Sequence, residues 1–270
     1  MDDDKEEFLM AILSIPGVKT INASEAEEAP LNLGIFGPSQ AGKTQLLASI
    51  AKFYQEQGLT VLYLATPNED PYTTLSQFDL GSIVVPIDKA ATFDKVAESV
   101  QRSKQVDVVL LDSLNGLSRM TMDRAIGVNR YPADSKEWAP THDAFFSAVV
   151  KLKDMARISV FACAADRSAD SFATPDAKKP NLIACDLPGK MATGISGAVS
   201  GLGYVQAELD DEKKVFNRSI SFVPAKGTIT FLRGLKRPMV EPIPLTSFHD
   251  GWTEVVKVIN EHKAEVTAAE

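Results

Sequence analysis

Continuous apolar runs alternate with helical periodicities over the first 166 residues. Residues 31–36 form an apolar run that stops at Gly37, which predicts a buried strand. Residues 44–57 carry Leu46, Leu47, Ile50, Ala51 and Tyr54 on one helical face, with Gly58 placed to end the helix. Residues 61–65 read as the next strand, halted by Pro67. Residues 94–104 (Val96, Ala97, Val100) read as a helix, and 106–111 as a strand. Residues 138–156, with Phe145, Phe146, Val149, Val150 and Leu152, predict a further helix, and 158–164 a further strand. These strands lack polar alternation, as strands covered on both faces should. The order predicts an α/β fold with a mainly parallel sheet flanked by helices.

The pattern changes after Asp166. Residues 168–186 are polar, hold Pro175 and Pro180, and read as a loop. Residues 204–209, 219–222 and 228–232 are short strand-like runs with tight connections, which predicts antiparallel edge strands in the C-terminal part. Residues 252–262 predict a closing helix. The expected organisation is an N-terminal arm at 1–30, a core at 31–245, and a C-terminal helix and tail at 246–270.

The chemistry concentrates between the first strand and the first long helix. Gly37-Pro38-Ser39-Gln40-Ala41-Gly42-Lys43-Thr44 matches G-x-x-x-x-G-K-[ST] in full. Gly37 and Gly42 allow the backbone to turn tightly and approach phosphate oxygens without a Cβ in the way. The backbone N–H groups then form an anion nest, to which the helix adds its positive end. Lys43 is placed for the β- and γ-phosphates, and the Thr44 hydroxyl for Mg²⁺. Residues 37–45, including Gln45 at the start of the helix, are therefore the expected ATP site. Asp112, ending the run Val106 to Leu111, is the expected Walker-B carboxylate and second Mg²⁺-holding residue. Its bland alternative is an acid capping the next helix. Hydrolysis also needs a group to orient water. Glu69, in Thr66-Pro67-Asn68-Glu69-Asp70, is the candidate base, with Asp70 second; a solvated turn is the plain alternative. Tyr72 either stacks on adenine or covers that loop.

The chain of 270 residues is 44% hydrophobic, enough for one sizeable core. The net charge of −8 argues against a protein coated in nucleic acid. Residues 178–237, however, hold ten basic and five acidic side chains, so that segment carries +5 and the remainder −13. Cys163 lies in an apolar run, and neither it nor Cys185 suggests a disulfide or a metal site. The acidic start, Met1 to Asp4, is unlike a secretory signal, and no apolar run reaches the roughly 18 residues of a membrane span, so a soluble cytoplasmic protein is expected. His142 and His249 read as structural or solvated, Trp138 and Trp252 as core or near-core, and Arg119, Arg124 and Arg130 as surface residues.

The loop at Gly37, the Asp112-Ser113 strand end and Asp186-Leu187-Pro188-Gly189-Lys190-Met191 together resemble the RecA-like P-loop ATPases of bacteriophages, often called phage nucleotide-binding proteins. The resemblance covers roughly residues 31–240. It implies a RecA-type core, ATP with Mg²⁺, frequent assembly on DNA, and location in a host cytoplasm. It also implies a catalytic glutamate after the second strand, for which Glu69 is the nearest acid. A polar sensor is expected at the end of the strand after Asp112, where Asp166 and Arg167 stand. A late basic residue should reach a neighbour's nucleotide, and Arg233, Lys236 and Arg237 occupy that stretch. These imply a homo-oligomer with nucleotide near the subunit interface and single-stranded DNA as a partner, in recombination, annealing, replication or packaging. Two other functions stay open. One is an ATP-binding assembly or regulatory protein with little hydrolysis, suggested by the displaced glutamate. The other is a P-loop small-molecule kinase with Arg167 as a lid residue.

Overall fold

The computed structural model describes residues 31–67, 71–78, 80–81, 83–128, 130–166, 183–188, 190–210, 212, 214–223, 228–235, 239–247 and 249–264. The N-terminal arm, Glu69, Asp70, Arg167, Gly189, Lys236 and Arg237 lie outside them.

Six parallel strands make the centre of the sheet: β1 (Leu31–Gly37), β2 (Val61–Ala65), β3 (Ile83–Pro86), β4 (Val108–Asp112), β5 (Ile158–Asp166) and β7 (Gly201–Asp210). β6 (Ala184–Cys185), β8 (Val215–Ser221), β9 (Phe231–Leu232) and β10 (Ile243–Pro244) complete it. The spatial order is β10-β8-β7-β1-β5-β4-β2-β3, with β6 on β5 and β9 on β7. β8 runs antiparallel to β7, and β10 antiparallel to β8. The α/β class with a mainly parallel sheet and C-terminal antiparallel strands is thus observed. β7 departs from expectation. It pairs in parallel with β1, from Leu33 against Gly201 to Phe36 against Tyr204, so it extends the core sheet before the antiparallel part begins.

The missing polar alternation has a direct cause: successive residues feed two different cores. In β2 and β4, Leu62, Leu64, Val109 and Leu111 pack on one face, while Val61, Tyr63, Val108 and Leu110 pack on the other. The second face is covered by α1 (Lys43–Glu56), which buries Leu46, Leu47, Ile50 and Ala51. Burying a side chain such as Leu or Ile fully stabilises by about 1.5–3 kcal/mol. α7 (Gly251–Ala264) docks on α1, burying Trp252, whose backbone N–H donates to Ser49 Oγ. Trp138 is only half-buried and stacks obliquely near His142.

The first face is covered by α3 (Ala90–Ser103), α4 (Leu114–Ile126) and α5 (Ser135–Asp154). Short α2 (Tyr72–Leu75) and α6 (Met191–Ala198) complete the helices among the described residues. Periodicity missed α4 because small polar residues, Ser118 and Thr121, occupy its buried stripe, and Gly116 replaces an apolar residue there. A Cβ on Gly116 would lie 2.1 Å from Thr66 Oγ1, so glycine lets the helix meet the end of β2. No helix among the described residues is long and apolar enough to cross a membrane.

Asp94 of α3 ties three helices together through Arg124 of α4 and Lys151 of α5. Arg119 and Arg130 are likewise paired, with Asp123 and Glu137. Burial pushes the Asp94 pKa up, but the Lys151 and Arg124 contacts outweigh it and hold the pKa below 3.8. The stabilisation is therefore present above pH 3.8 and lost as pH falls through the lowered value. Asp94→Asn should cost about 1 kcal/mol at pH 7. In urea titrations the gap to the natural protein should narrow as pH falls below 3.8; a gap constant with pH would contradict the ion-pair assignment.

Candidate functional site

The site forms where the chain leaves β1 and enters α1. Gly37 has no room for a side chain, since a Cβ would lie 2.2 Å from the Val205 carbonyl oxygen of β7. Gly42 has φ +95°, a conformation that favours glycine, and Gln40 is also left-handed at 64°. The turn is closed by Ala41 N–H donating to Pro38 O (3.3 Å), and α1 opens with Leu46 N–H donating to Gly42 O (2.9 Å). α1 has no side-chain cap at its start and no acid in its first turn. Its leading amides and positive end therefore face the loop rather than a carboxylate of this helix. The Lys43 ammonium bridges the loop, donating to Gly37 O (2.9 Å) and Pro38 O (2.8 Å).

β4 delivers Asp112 to the same place. In the β4 register Asp112 shares a face with Val108 and Leu110, the side that α1 covers. Its Oδ2 accepts from the Thr44 hydroxyl (2.8 Å) and from the Tyr63 hydroxyl (2.8 Å). The residue is 2% exposed. Burial raises its pKa; the Thr44 and Tyr63 hydrogen bonds and the Lys43 charge oppose that rise without overcoming it. Asp112 is therefore no mere helix cap. The residue in the N-cap position of α4 is Ser113, which caps nothing with its side chain and whose Oγ is buried without a partner.

Three residues that hold Asp112 and its surroundings were not singled out from sequence. Tyr63 sits in an apolar strand, and a buried Tyr hydroxyl demands a partner, a signal that was available. Thr66 pins the end of β4: its N–H donates to Asp112 O (2.7 Å), and its hydroxyl accepts from Ser113 N–H (2.9 Å). Asn115, in the first turn of α4, accepts from Ala164 N–H of β5 (2.7 Å) and donates to Asp186 O. These contacts join segments far apart in sequence.

β5 lies between β1 and β4, so its C-terminal end reaches the gap between the loop and Asp112. Asp166 ends that strand, its backbone pairing with Ala184 of β6. Cys163 of β5 and Cys185 are both buried and free; burial, then the neighbouring Cys185 thiol, push the Cys163 pKa up, as befits a core residue. Arg233 is exposed but turned onto its own chain, with Nη2 donating to Ser196 O (3.3 Å) and the guanidinium over Phe231. Lys190 is exposed at the start of α6. The candidate base Glu69 and the late cations Lys236 and Arg237 lie outside the described residues.

A different cation stands at the loop. Arg218 of β8 lies over Gly42, with its Cδ and Nε each 3.0 Å from where a Gly42 Cβ would be.

No protein-family model matches the chain, and no curated protein matches it.

Proposed function

We propose that this protein binds ATP with Mg²⁺ at residues 37–45 and hydrolyses it, as a RecA-like P-loop ATPase that works on DNA. The observation that carries the reading is the meeting of Lys43, Thr44 and Asp112. A strand–glycine loop–helix unit presents amides and an ammonium, and a carboxylate from a separate strand stands 2.8 Å from the Thr44 hydroxyl.

The donor set suits the ion. Thr44 and Asp112 offer two hard oxygens at close range, and Mg²⁺ commonly takes one or two carboxylates together with phosphate oxygens and water. Among the described residues no cluster of three His, Cys, Asp or Glu side chains forms a stand-alone metal cage, which fits an ion carried in with the nucleotide. When bound there, held by Thr44 and Asp112, Mg²⁺ would supply positive charge that offsets the charge of the phosphates. The chain's own residues do the rest. The loop amides and Lys43 hold the triphosphate, and Tyr63 fixes the Asp112 carboxylate. Glu69 orients a water for attack on the γ-phosphorus, and the β–γ bridging bond breaks to release ADP and phosphate. β5, between loop and acid, supports the RecA-like assignment, because the sensor residue of that group ends the strand after the acid.

DNA and self-assembly enter through the resemblance, with Arg233, Lys236 and Arg237 as the late basic residues offered to a neighbour's nucleotide. Phosphate release should require Mg²⁺ and ATP, rise with single-stranded DNA, and lose the DNA stimulation as salt increases. Nucleotide binding with no release, unaltered by Glu69→Gln, would favour the regulatory reading. Transfer of phosphate to a nucleoside acceptor would favour the kinase. Failure to bind nucleotide would end all three.

A further inference from the structure

Arg218 is unusual among the surface cations because part of it is buried with nothing to bond. Its Nε is inaccessible to solvent and has no hydrogen-bond partner. An unpaired buried guanidinium N–H is expensive, and the planar fork of Arg matches pairs of oxygens on carboxylates and phosphates. The neighbourhood adds to the expense: the loop amides, the positive end of α1 and the Lys43 ammonium are all of the same sign. An anion at the loop would relieve each of these together.

The register explains how a residue 176 positions after Gly42 comes to rest on it. β7 runs past the end of β1, with the Val205 carbonyl against Gly37. Two residues further along, Ala207 pairs with Arg218 of β8. Arg218 therefore stands beyond the end of β1, on the same face as Val205 and Ile220, which both belong to the core beneath α1. β10 backs this position, with Leu245 N–H donating to Arg218 O (2.8 Å). Arg218 lines a narrow crevice together with Gly42, Gln45, Leu245 and Ser247. Gly42 makes the approach possible, because any side chain there would meet Arg218 at 3.0 Å.

We propose that Arg218 is a second cation of the phosphate site, supplied by the same chain, and that it contacts the α-phosphate end of a bound nucleoside di- or triphosphate. Lys43 holds the Gly37–Pro38 side of the loop and belongs to the β- and γ-phosphates. Arg218 stands beside Gly42 and Gln45, where α1 begins. The assignment rests on the ATP reading above and extends it: the antiparallel hairpin of β7 and β8 becomes part of the nucleotide site. Because the α-phosphate is common to ATP and ADP and is not transferred, the contact is one of ground-state binding.

The test uses the full chain with Mg²⁺, titrating ATP and ADP separately into the natural protein, Arg218→Gln, Arg218→Lys and Lys43→Ala, with unfolding temperatures measured alongside. Arg218→Gln should weaken ATP and ADP by similar factors, about 10- to 100-fold, with the loss shrinking at high salt. Arg218→Lys should recover part of that loss, since the charge remains and the fork does not. In turnover the loss should fall on KM rather than kcat, the signature of an interaction equal in ground and transition states. If Lys43→Ala loses nucleotide while a folded Arg218→Gln binds ADP as the natural protein does, the Arg218 assignment is wrong and the ATP site stands. A loss on Arg218→Gln that is confined to ATP also overturns it. If the natural protein binds neither nucleotide, or Lys43→Ala binds both unchanged, the site itself is wrong and the Arg218 assignment falls with it.

Discussion

Replacing Lys43 by alanine should reduce ATP affinity by about 100-fold or more and bring phosphate release to background. The ammonium donates to two loop carbonyls, those of Gly37 and Pro38, and the packing of α1 rests on Leu46, Leu47 and Ile50 instead. A folded protein that has lost nucleotide is therefore the expected state. Calorimetric titration with ATP, paired with circular dichroism, checks both halves. Normal affinity in a folded variant would refute the role given to Lys43.

Asp112→Asn should separate activity from stability. Release of phosphate should fall by about 10²- to 10³-fold, because the charge proposed to hold Mg²⁺ together with Thr44 is gone. Stability should move the other way. The Asp112 pKa in the folded protein is raised above 3.8, chiefly by burial. A group raised in this way contributes its stability below the ordinary value and loses it as pH rises through the folded value. An asparagine oxygen still accepts from Thr44 and Tyr63, and asparagine brings no charge that burial would disfavour as pH rises. The variant should therefore melt higher than the natural protein at pH 7, without nucleotide, and the advantage should shrink toward pH 4. A variant that melts lower at pH 7 would show that the charge is well compensated where it stands.

How much of this was legible depended on whether the controlling contact was local. The loop from Gly37 to Thr44 is a run of eight residues whose turn depends on local conformation, Gly42 above all, so sequence sufficed to place it between β1 and α1. The strands around Val61, Val108 and Ile158 were legible because burial on both faces removes polar alternation, and the structure shows two cores taking alternate residues. Asp112 was legible as a strand-ending acid. Tyr63, which fixes its carboxylate, was not, because the two meet only through the pairing of β2 with β4. α4 was hidden by Gly116, Ser118 and Thr121, which are small for packing reasons and break the apolar stripe. β7 was read as an antiparallel addition because the tight turn to β8 was visible, whereas its parallel pairing with β1 is a long-range choice. Arg218 counted only as one basic residue among ten. What marks it out is its place over Gly42, fixed by the β7–β8 register and the end of β1.

Whether a triphosphate sits in the loop from Gly37 to Thr44 can be seen in a structure of the full chain with Mg²⁺ and a non-hydrolysable ATP analogue. Phosphate density should lie within hydrogen-bonding reach of the loop amides and Lys43 Nζ, with the ion beside Thr44 and Asp112. Nucleotide density at any other place on the chain, with the loop carbonyls of Gly37 and Pro38 still holding Lys43, would contradict it.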